Sequence, residues 1–211
     1  MSAELAVIVN PAAGHGRAGR IWPAVASRMR ERGLDFDLRM TSGPGDAISF
    51  AADAQRAGYQ TVVAMGGDGT VNEVVNGLMR DGEPTARLGV LSSGTGSDFV
   101  RTLGIGRGVD GVDSLLGGTR RIDVGVTRGL SGGQPRYFVN AGDVGLGAEA
   151  ADRVNHGSKL LGGFASFLIG AVSTIATYQC REIEFCLDGG TACRQRLALI
   201  VVANGRCFAG G

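Results

Sequence analysis

A glycine-rich segment with four closely spaced polar side chains carries the strongest chemical signal in this chain. Residues 66–73 read GGDGTVNE and follow a short apolar run at residues 61–65. The pattern predicts a strand that ends in a glycine turn and leads into a helix. Glycine lets the backbone approach a ligand closely, and the first turn of a helix presents unpaired N–H groups to an anion. We therefore predict a phosphate site with polar groups from Asp68, Thr70, Asn72 and Glu73.

Two other unusual loops also follow predicted strands. Residues 10–14 read NPAAG after an apolar run at residues 5–9, and residues 92–98 read SSGTGSD after a strand predicted at residues 88–91. The carboxyl ends of parallel strands lie along one edge of a sheet, and ligands bind beyond that edge. We therefore expect the three loops to meet at one ligand site.

The elements that would position these loops alternate between strand and helix. Strands are predicted at residues 5–9, 34–40, 61–65 and 88–91, and helices at a segment that ends before Gly33, at residues 46–57 and at residues 72–79. Such alternation predicts right-handed crossovers and a parallel sheet with helices on both faces.

After about residue 120 the predicted elements change from alternating strands and helices to mainly strands. Residues 121–126 and 136–141 are typical of a β-hairpin, and residues 182–187 and 194–203 of a second β-pair around a turn at 188–190. One helix is predicted between them. We predict two domains, an α/β domain over residues 1–121 and a β-rich domain over residues 122–211.

The uncharged stretch at residues 160–180 bears on membrane contact. A bilayer-spanning helix needs about 20 predominantly apolar residues, and this stretch is diluted by glycine, serine and threonine. A packed helix is therefore favoured over a transmembrane one, and contact with a membrane surface stays open as an alternative.

Composition excludes several classes of protein. The 21 basic and 20 acidic residues nearly balance, so nucleic acid is not expected as the main partner. Four cysteines without C-x-x-C spacing predict reduced thiols rather than a metal site. The amino terminus lacks a basic-then-apolar signal, which predicts a cytoplasmic protein.

These motifs together resemble the diacylglycerol kinase catalytic domain, in particular the bacterial soluble lipid kinases related to sphingosine and ceramide kinases. The resemblance begins with VNPAAG at residues 9–14, passes through residues 66–74 and 94–101, and extends to residues 204–206. GGDGT also occurs in NAD kinases and phosphofructokinases, whereas Asn-Pro-x-x-Gly and Gly-Thr-x-x-Asp-Phe are specific to the lipid kinases. The resemblance implies that residues 1–121 form a three-layer, NAD kinase/phosphofructokinase-like α/β domain that binds the nucleotide. It implies that residues 122–211 form a β-sandwich-like lipid-substrate domain that is incomplete at the carboxyl terminus.

The resemblance also implies a site for ATP and Mg²⁺. Asp68 would organise the metal, and Asp68 and Asp98 would be the catalytic residues, with Asp98 orienting a lysine or water. The general base is expected in an Asp-Gly-x-x-Asp segment beyond Gly211. The implied nucleotide contacts are Asn10, Pro11, Ala12, Ala13, Gly14, Thr41, Gly66, Gly67, Asp68, Gly69, Thr70, Asn72, Glu73, Gly94 and Thr95.

Two positions depart from the family pattern Pro-x-Gly-Thr-x-Asn-Asp-Phe. Ser92 stands where the proline falls, and Ser97 stands where the asparagine falls. A serine hydroxyl lacks the reach and the paired donor and acceptor of a carboxamide. We therefore expect the nucleotide affinity to differ from that of proteins with the usual pattern.

The function implied is an ATP-dependent lipid kinase that transfers the γ-phosphoryl group to a hydroxyl of diacylglycerol or a similar lipid. It would work in the cytoplasm or peripherally at the inner face of the membrane, without a transmembrane anchor, and a homodimer is compatible with the sequence. Two alternatives stay open. One is a soluble nucleotide kinase of the NAD-kinase type, and the other is a truncated ATP-binding protein without catalysis.

Overall fold

The computed structural model describes residues 4–93, 97–129, 132–146 and 178–207. The chain divides into two compact units, one formed by Met1–Ala141 with Ala203–Gly211 and the other by Gly142–Val202. These units reflect packing alone. The functional boundary between residues 121 and 122 stays a prediction.

A parallel sheet of four strands organises the first unit. Its strands are β1 (Leu5–Val9), β2 (Phe36–Met40), β3 (Thr61–Gly66) and β4 (Arg87–Ser92), in the order β2-β1-β3-β4. All three neighbouring pairs are parallel, which confirms the predicted α/β architecture of the amino-terminal part. The apolar runs of β1 and β3 are almost wholly buried, as expected for strands with both faces covered.

Helices cover the two faces of this sheet. They are α1 (Arg17–Glu31), α2 (Asp46–Arg56), α3 (Asp68–Leu78), α4 (Asp98–Leu103) and a 3₁₀ helix (Gly108–Leu116). Side chains that alternate along β1 and β3 divide between two cores. One core packs against α2 and α3 and includes Ile8 and Val62, and the other packs against α1 and the 3₁₀ helix and includes Val7 and Val63.

Helix α3 begins earlier than the sequence predicts. We expected it to start at Asn72, but it starts at Asp68, and Gly67 is the single residue between β3 and α3. Asp68, Gly69 and Thr70 therefore form the first helical turn rather than part of a loop. An acidic residue in a first turn is favoured because the helix dipole is positive there.

Gly77 sets the separation of α2 and α3. A Cβ atom at Gly77 would overlap the carbonyl oxygen of Ile48 and lie 2.7 Å from the Cβ atom of Ala51. We expect Gly77→Ala to lower the free energy of unfolding by about 1–3 kcal/mol, because overpacking outweighs the higher helix propensity of alanine. Urea denaturation compared with Gly118→Ala, where the added Cβ meets no described atom within 4 Å, measures this. An unchanged urea midpoint in Gly77→Ala would contradict close packing of α2 and α3 at this glycine.

The hairpin predicted after residue 120 is present but shorter. Its strands are β5 (Gly125–Thr127) and β6 (Arg136–Phe138), which pair antiparallel with Gly125 opposite Phe138. The Phe138 ring occupies the space that a Cβ atom at Gly125 would fill. Residues 121–124, predicted as strand, are irregular.

The second unit contains short β-pairs. Strand β7 (Ala141–Gly145) pairs with β10 (Leu199–Ala203), and β8 (Arg181–Phe185) pairs antiparallel with β9 (Cys193–Leu197). The single strand predicted at residues 194–203 is wrong in one respect, because it divides at Ala198 into two strands with different partners. The Ala198 carbonyl accepts a hydrogen bond from the Leu146 N–H at 2.8 Å.

The uncharged helix predicted within residues 160–180 lies almost entirely outside the described residues. Among the helices that the structure does describe, none has the length and hydropathy that crossing a membrane requires.

Candidate functional site

The candidate site lies where the strand order of the sheet reverses. From β1 the chain continues to β2 on one side of the sheet, and it then returns to β3 on the other side. In open α/β sheets, such a switch point separates two loops at the carboxyl ends of the strands and leaves a crevice for ligands. The loop after β1 and the turn after β3 flank this crevice.

Asn10 connects the two sides of the crevice. Its Nδ2 donates to Oγ1 of Thr70 at 3.1 Å, and its Oδ1 accepts the backbone N–H of Ala12 at 3.1 Å. Its own backbone N–H donates to the Met65 carbonyl at 2.9 Å, which extends the pairing of β1 with β3. The side chain therefore fixes the loop after β1 against the first turn of α3.

Close packing also joins the loop after β1 to the end of β4. Gly14 has a φ of +59°, and a Cβ atom there would lie 2.7 Å from the Ser93 carbonyl oxygen. Both the left-handed conformation and the contact require glycine. The loops after β1, β3 and β4 therefore meet, as the sequence predicts.

The first turn of α3 leaves open space at one position. A Cβ atom at Gly66 would overlap the Thr70 side chain, so this glycine is required by the fold itself. A Cβ atom at Gly69 would meet no described atom within 4 Å, and Gly69 has no positive φ. The fold therefore gives no reason for glycine at position 69.

The Asp68 carboxylate receives two long hydrogen bonds from the start of α4. The Asp98 N–H donates to Oδ2 at 3.4 Å, and the Phe99 N–H donates to Oδ1 at 3.3 Å. Asp98 itself is 8% exposed, and its Oδ1 lies 3.6 Å from Nη1 of Arg101. The Asp68 carboxylate thus lies between the first turns of α3 and α4.

The turn after β2 is held by a second carboxylate. Oδ2 of Asp46 accepts the Ser42 N–H at 2.7 Å, the Ser42 hydroxyl at 2.7 Å and the Gly43 N–H at 2.9 Å. These bonds lower the pKa of Asp46, and the Ser42 N–H has the largest effect. Because the folded pKa is lowered, the stabilisation is present above the ordinary pKa and is lost as the pH falls through the folded value.

Comparison with known proteins identifies the family of the part of the chain that carries the candidate site. The family model of the diacylglycerol kinase catalytic domain matches residues 4–127, which is more than half of the chain. The chain belongs to the diacylglycerol kinase catalytic-domain family. The matched residues include all three loops of the candidate site.

Curated relatives agree with this family. Diacylglycerol kinase of Bacillus subtilis is 32% identical over 187 residues, which cover 87% of this chain and 59% of the relative. The probable lipid kinase YegS of Escherichia coli is 31% identical over 187 residues, with 87% of this chain and 60% of the relative covered. The chain therefore spans about three fifths of the length of these relatives.

A solved structure shares the fold. A diacylglycerol kinase from Bacillus anthracis str. Sterne superposes with a TM-score of 0.71 at 24% identity, covering 100% of this chain and 67% of that chain. At this identity the likeness concerns the fold alone.

Two polar residues of the family motif GGDGTVNEV bind protein groups. Nδ2 of Asn72 donates to the Tyr137 carbonyl at 3.0 Å, and Oε1 of Glu73 accepts the Gly45 N–H at 3.2 Å. Asn72 thus connects α3 to β6, and Glu73 connects it to the start of α2. Their predicted contacts with a nucleotide stay predictions.

The other residues predicted for this site fall into three groups. Asn10, Pro11, Ala12, Ala13, Gly14, Gly66, Gly67, Gly69 and Thr70 lie at the ends of β1 and β3 or in the first turn of α3. Thr41, 9% exposed, follows β2 and donates its N–H to the Val9 carbonyl at 2.9 Å. Gly94 and Thr95 lie outside the described residues.

Sequence reasoning overlooked two side chains at this site. Asn76 donates Nδ2 to the Tyr137 carbonyl at 2.9 Å and accepts the Tyr137 N–H on Oδ1 at 3.0 Å. Its carboxamide thus satisfies both backbone groups of this β6 residue. Ser93 is 3% exposed, and its hydroxyl has no hydrogen-bond partner among the described residues. The only sequence signal for Ser93 was its position within the SSGTGSD segment.

Proposed function

We propose that this chain is the ATP-binding part of a lipid kinase, which transfers the γ-phosphoryl group of ATP to a hydroxyl of diacylglycerol or a similar lipid. The observation that carries this proposal is the convergence of three loops at the switch point of the sheet, joined by the Asn10–Thr70 hydrogen bond and the Gly14–Ser93 contact. Family membership supports phosphoryl-transfer chemistry at this crevice.

Two features of the crevice support a bound phosphate. The open space at Gly69 lies in the first turn of α3, where backbone N–H groups are available to an anion. The buried Ser93 hydroxyl at the end of β4 has no hydrogen-bond partner within the described ranges. A buried hydroxyl without a partner is unfavourable, and a ligand could supply one. Both features fit a nucleotide phosphate.

Asp68 is the residue that we propose for magnesium. Mg²⁺ takes oxygen ligands, keeps several waters and usually binds through one or two carboxylates together with substrate phosphates. The described residues contain no cluster of three or more potential metal ligands. A single carboxylate beside a phosphate site fits that mode, and the metal would supply charge neutralisation on the phosphates. Asp98 remains the second proposed catalytic residue.

The lipid acceptor is proposed from the relatives. Their names are diacylglycerol kinase and probable lipid kinase, which favours a lipid hydroxyl over a water-soluble nucleotide acceptor. The acceptor would be met at the inner face of the membrane by a cytoplasmic, peripherally bound protein, with the β-rich residues after 121 contributing to its site. The general base would come from the Asp-Gly-x-x-Asp segment expected after Gly211.

The test is radiolabel transfer from γ-labelled ATP, measured on the chain together with the segment proposed to supply the general base. With Mg²⁺ and vesicles that contain diacylglycerol, we expect label in the lipid fraction, with a requirement for both the metal and the vesicles. Binding of ATP is measured separately by calorimetry with and without Mg²⁺. The matched control is the same reaction with NAD and no vesicles.

Each result separates the candidates. Label transferred to NAD instead of lipid would identify an NAD-kinase-like enzyme. ATP binding without transfer to either acceptor would leave a nucleotide-binding protein without catalysis. Absence of ATP binding would contradict the proposed site.

A further inference from the structure

The two serines that replace the family's proline and asparagine contact each other. Ser92 is the last residue of β4 and Ser97 precedes α4, and a short hydrogen bond joins their hydroxyl oxygens. Ser92 is 3% exposed and Ser97 is 1% exposed. Because a hydroxyl is both donor and acceptor, each serine can satisfy the other in the absence of water. The two departures from the family pattern are therefore structurally linked.

The hydroxyl of Ser97 takes an unusual partner for its position. A serine that caps a helix usually accepts an N–H from the first turn of that helix. Ser97 is the N-cap of α4, yet its side chain makes no capping bond. The Asp68 carboxylate accepts the first two N–H groups of α4 instead, from Asp98 and Phe99. The Ser97 hydroxyl bonds to that of Ser92.

The backbone conformation of Ser97 must be stabilised by surrounding interactions. Ser97 has a φ of +54° and a ψ of 37°, in the left-handed region that is unfavourable for residues other than glycine. A conformation of this kind persists when surrounding interactions hold it. The bond to Ser92 is such an interaction, and the direction in which α4 starts depends on this residue.

Ser92 occupies a position at which the fold would also tolerate proline. The Ser93 N–H donates to the Gly66 carbonyl at 2.9 Å, so the N–H of Ser92 points away from β3. Among the described residues β4 is an edge strand, and proline is tolerated where an edge N–H has no strand partner. Proline would keep the pairing with β3 but would remove the hydroxyl that Ser97 uses.

We propose that Ser92 and Ser97 act together as positioning residues. Their hydrogen bond fixes the start of α4, and the Asp98 and Phe99 amides of α4 then orient the Asp68 carboxylate. The inference rests on the proposed function, because orientation of Asp68 matters for phosphoryl transfer only if Asp68 holds magnesium on ATP. Both serines act through Asp68.

The structural part is tested in the protein without nucleotide. Ser92→Thr and Ser92→Val have nearly the same shape, and only threonine keeps the hydroxyl. We expect the backbone amide NMR resonances of Asp98 and Phe99 to shift in Ser92→Val and to stay near the wild-type positions in Ser92→Thr. The control is Ser114→Ala, which removes another serine hydroxyl, bonded to the Gly111 carbonyl at 2.6 Å, and should move neither resonance.

The functional part is tested in the transfer assay. Loss of a residue that orients a metal ligand weakens metal affinity by about 10–100-fold. We expect Ser92→Val to raise the Mg²⁺ concentration for half-maximal transfer by about tenfold or more, and to leave the KM for lipid unchanged. A merely destabilised protein would lose rate without a selective change in the metal requirement. The double variant Ser92→Val with Ser97→Ala should need no more Mg²⁺ than the stronger single variant, because both substitutions remove the same Ser92–Ser97 hydrogen bond.

Three outcomes overturn the inference. They are unmoved Asp98 and Phe99 amides in Ser92→Val, an unchanged Mg²⁺ requirement although these amides move, and independent effects of the Ser92 and Ser97 changes. Failure of the wild-type chain to bind ATP would instead count against the proposed function, and the amide resonances would still decide whether the serine pair positions α4.

Discussion

Replacing Asp68 by asparagine should reduce phosphoryl transfer by at least about 100-fold, because the site loses the negative charge proposed to hold magnesium on the nucleotide. Asparagine has nearly the same size as aspartate, so the change isolates the charge from the volume. Transfer to lipid vesicles at saturating ATP, measured across Mg²⁺ concentrations, gives this value. We expect excess Mg²⁺ to restore only part of the rate.

The same substitution should have a small effect on the fold. Asp68 accepts one N–H from Asp98 and one from Phe99, and asparagine keeps one oxygen for one of these donors. We expect the melting temperature to fall by about 2–4 °C, which corresponds to one lost hydrogen bond in a chain of this size. Asp113→Asn is the matched control, because this carboxylate pairs with Arg28 and Arg32 on the surface. Its rate should equal that of the wild type.

A different result would assign Asp68 to structure alone. If Asp68→Asn keeps the wild-type rate, the carboxylate serves only to cap α4. If the rate falls together with a large loss of stability, the charge effect must be measured at a temperature where both proteins are fully folded.

The strand and helix order of the first unit could be predicted because its apolar pattern is strong. Buried runs such as Leu5–Val9 are readable from residue type alone, and the glycine and polar residues between them mark the turns. The start of α3 was misplaced because Gly67, Asp68 and Gly69 have turn composition. The tertiary contact of Asp68 with the start of α4 favours helix there, and this contact is not visible locally.

The β-strands after residue 120 were harder to delimit. Residues 121–124 alternate as a strand does, but pairing begins only at Gly125, where the absent side chain admits the Phe138 ring. Residues 194–203 read as one strand and form two, because β9 and β10 pair with different strands. Strand length depends on partners that are distant in sequence.

At the site, the meeting of the three loops could be predicted, but the contacts of individual side chains could not. Asn72 and Glu73 bind Tyr137 and Gly45, which are 65 and 28 residues away in sequence. A carboxamide and a carboxylate in a glycine-rich motif suit a ligand and a distant backbone group equally well. Only the folded chain shows that both side chains already have protein partners.

Replacing Gly69 by alanine should weaken ATP binding by about tenfold or more while the protein becomes slightly more stable. The Cβ atoms of a helix point towards its N-terminus, so a methyl group at position 69 enters the space proposed for phosphate. Alanine is favoured over glycine within a helix by about 1 kcal/mol, and no described atom lies within 4 Å of the added Cβ. We therefore expect the melting temperature to rise by about 1–4 °C.

Opposite changes in binding and stability distinguish a ligand site from a packing requirement. Gly118→Ala, which also adds a methyl group in open space, should leave both ATP affinity and stability near the wild-type values. Gly66→Ala should lower stability, because its methyl group overlaps the Thr70 side chain. Calorimetric titration with ATP and Mg²⁺, together with thermal melts of all three variants, measures these effects. Wild-type ATP affinity in Gly69→Ala would place the phosphate elsewhere, since a methyl group at that position cannot coexist with a phosphate bound against the first turn of α3.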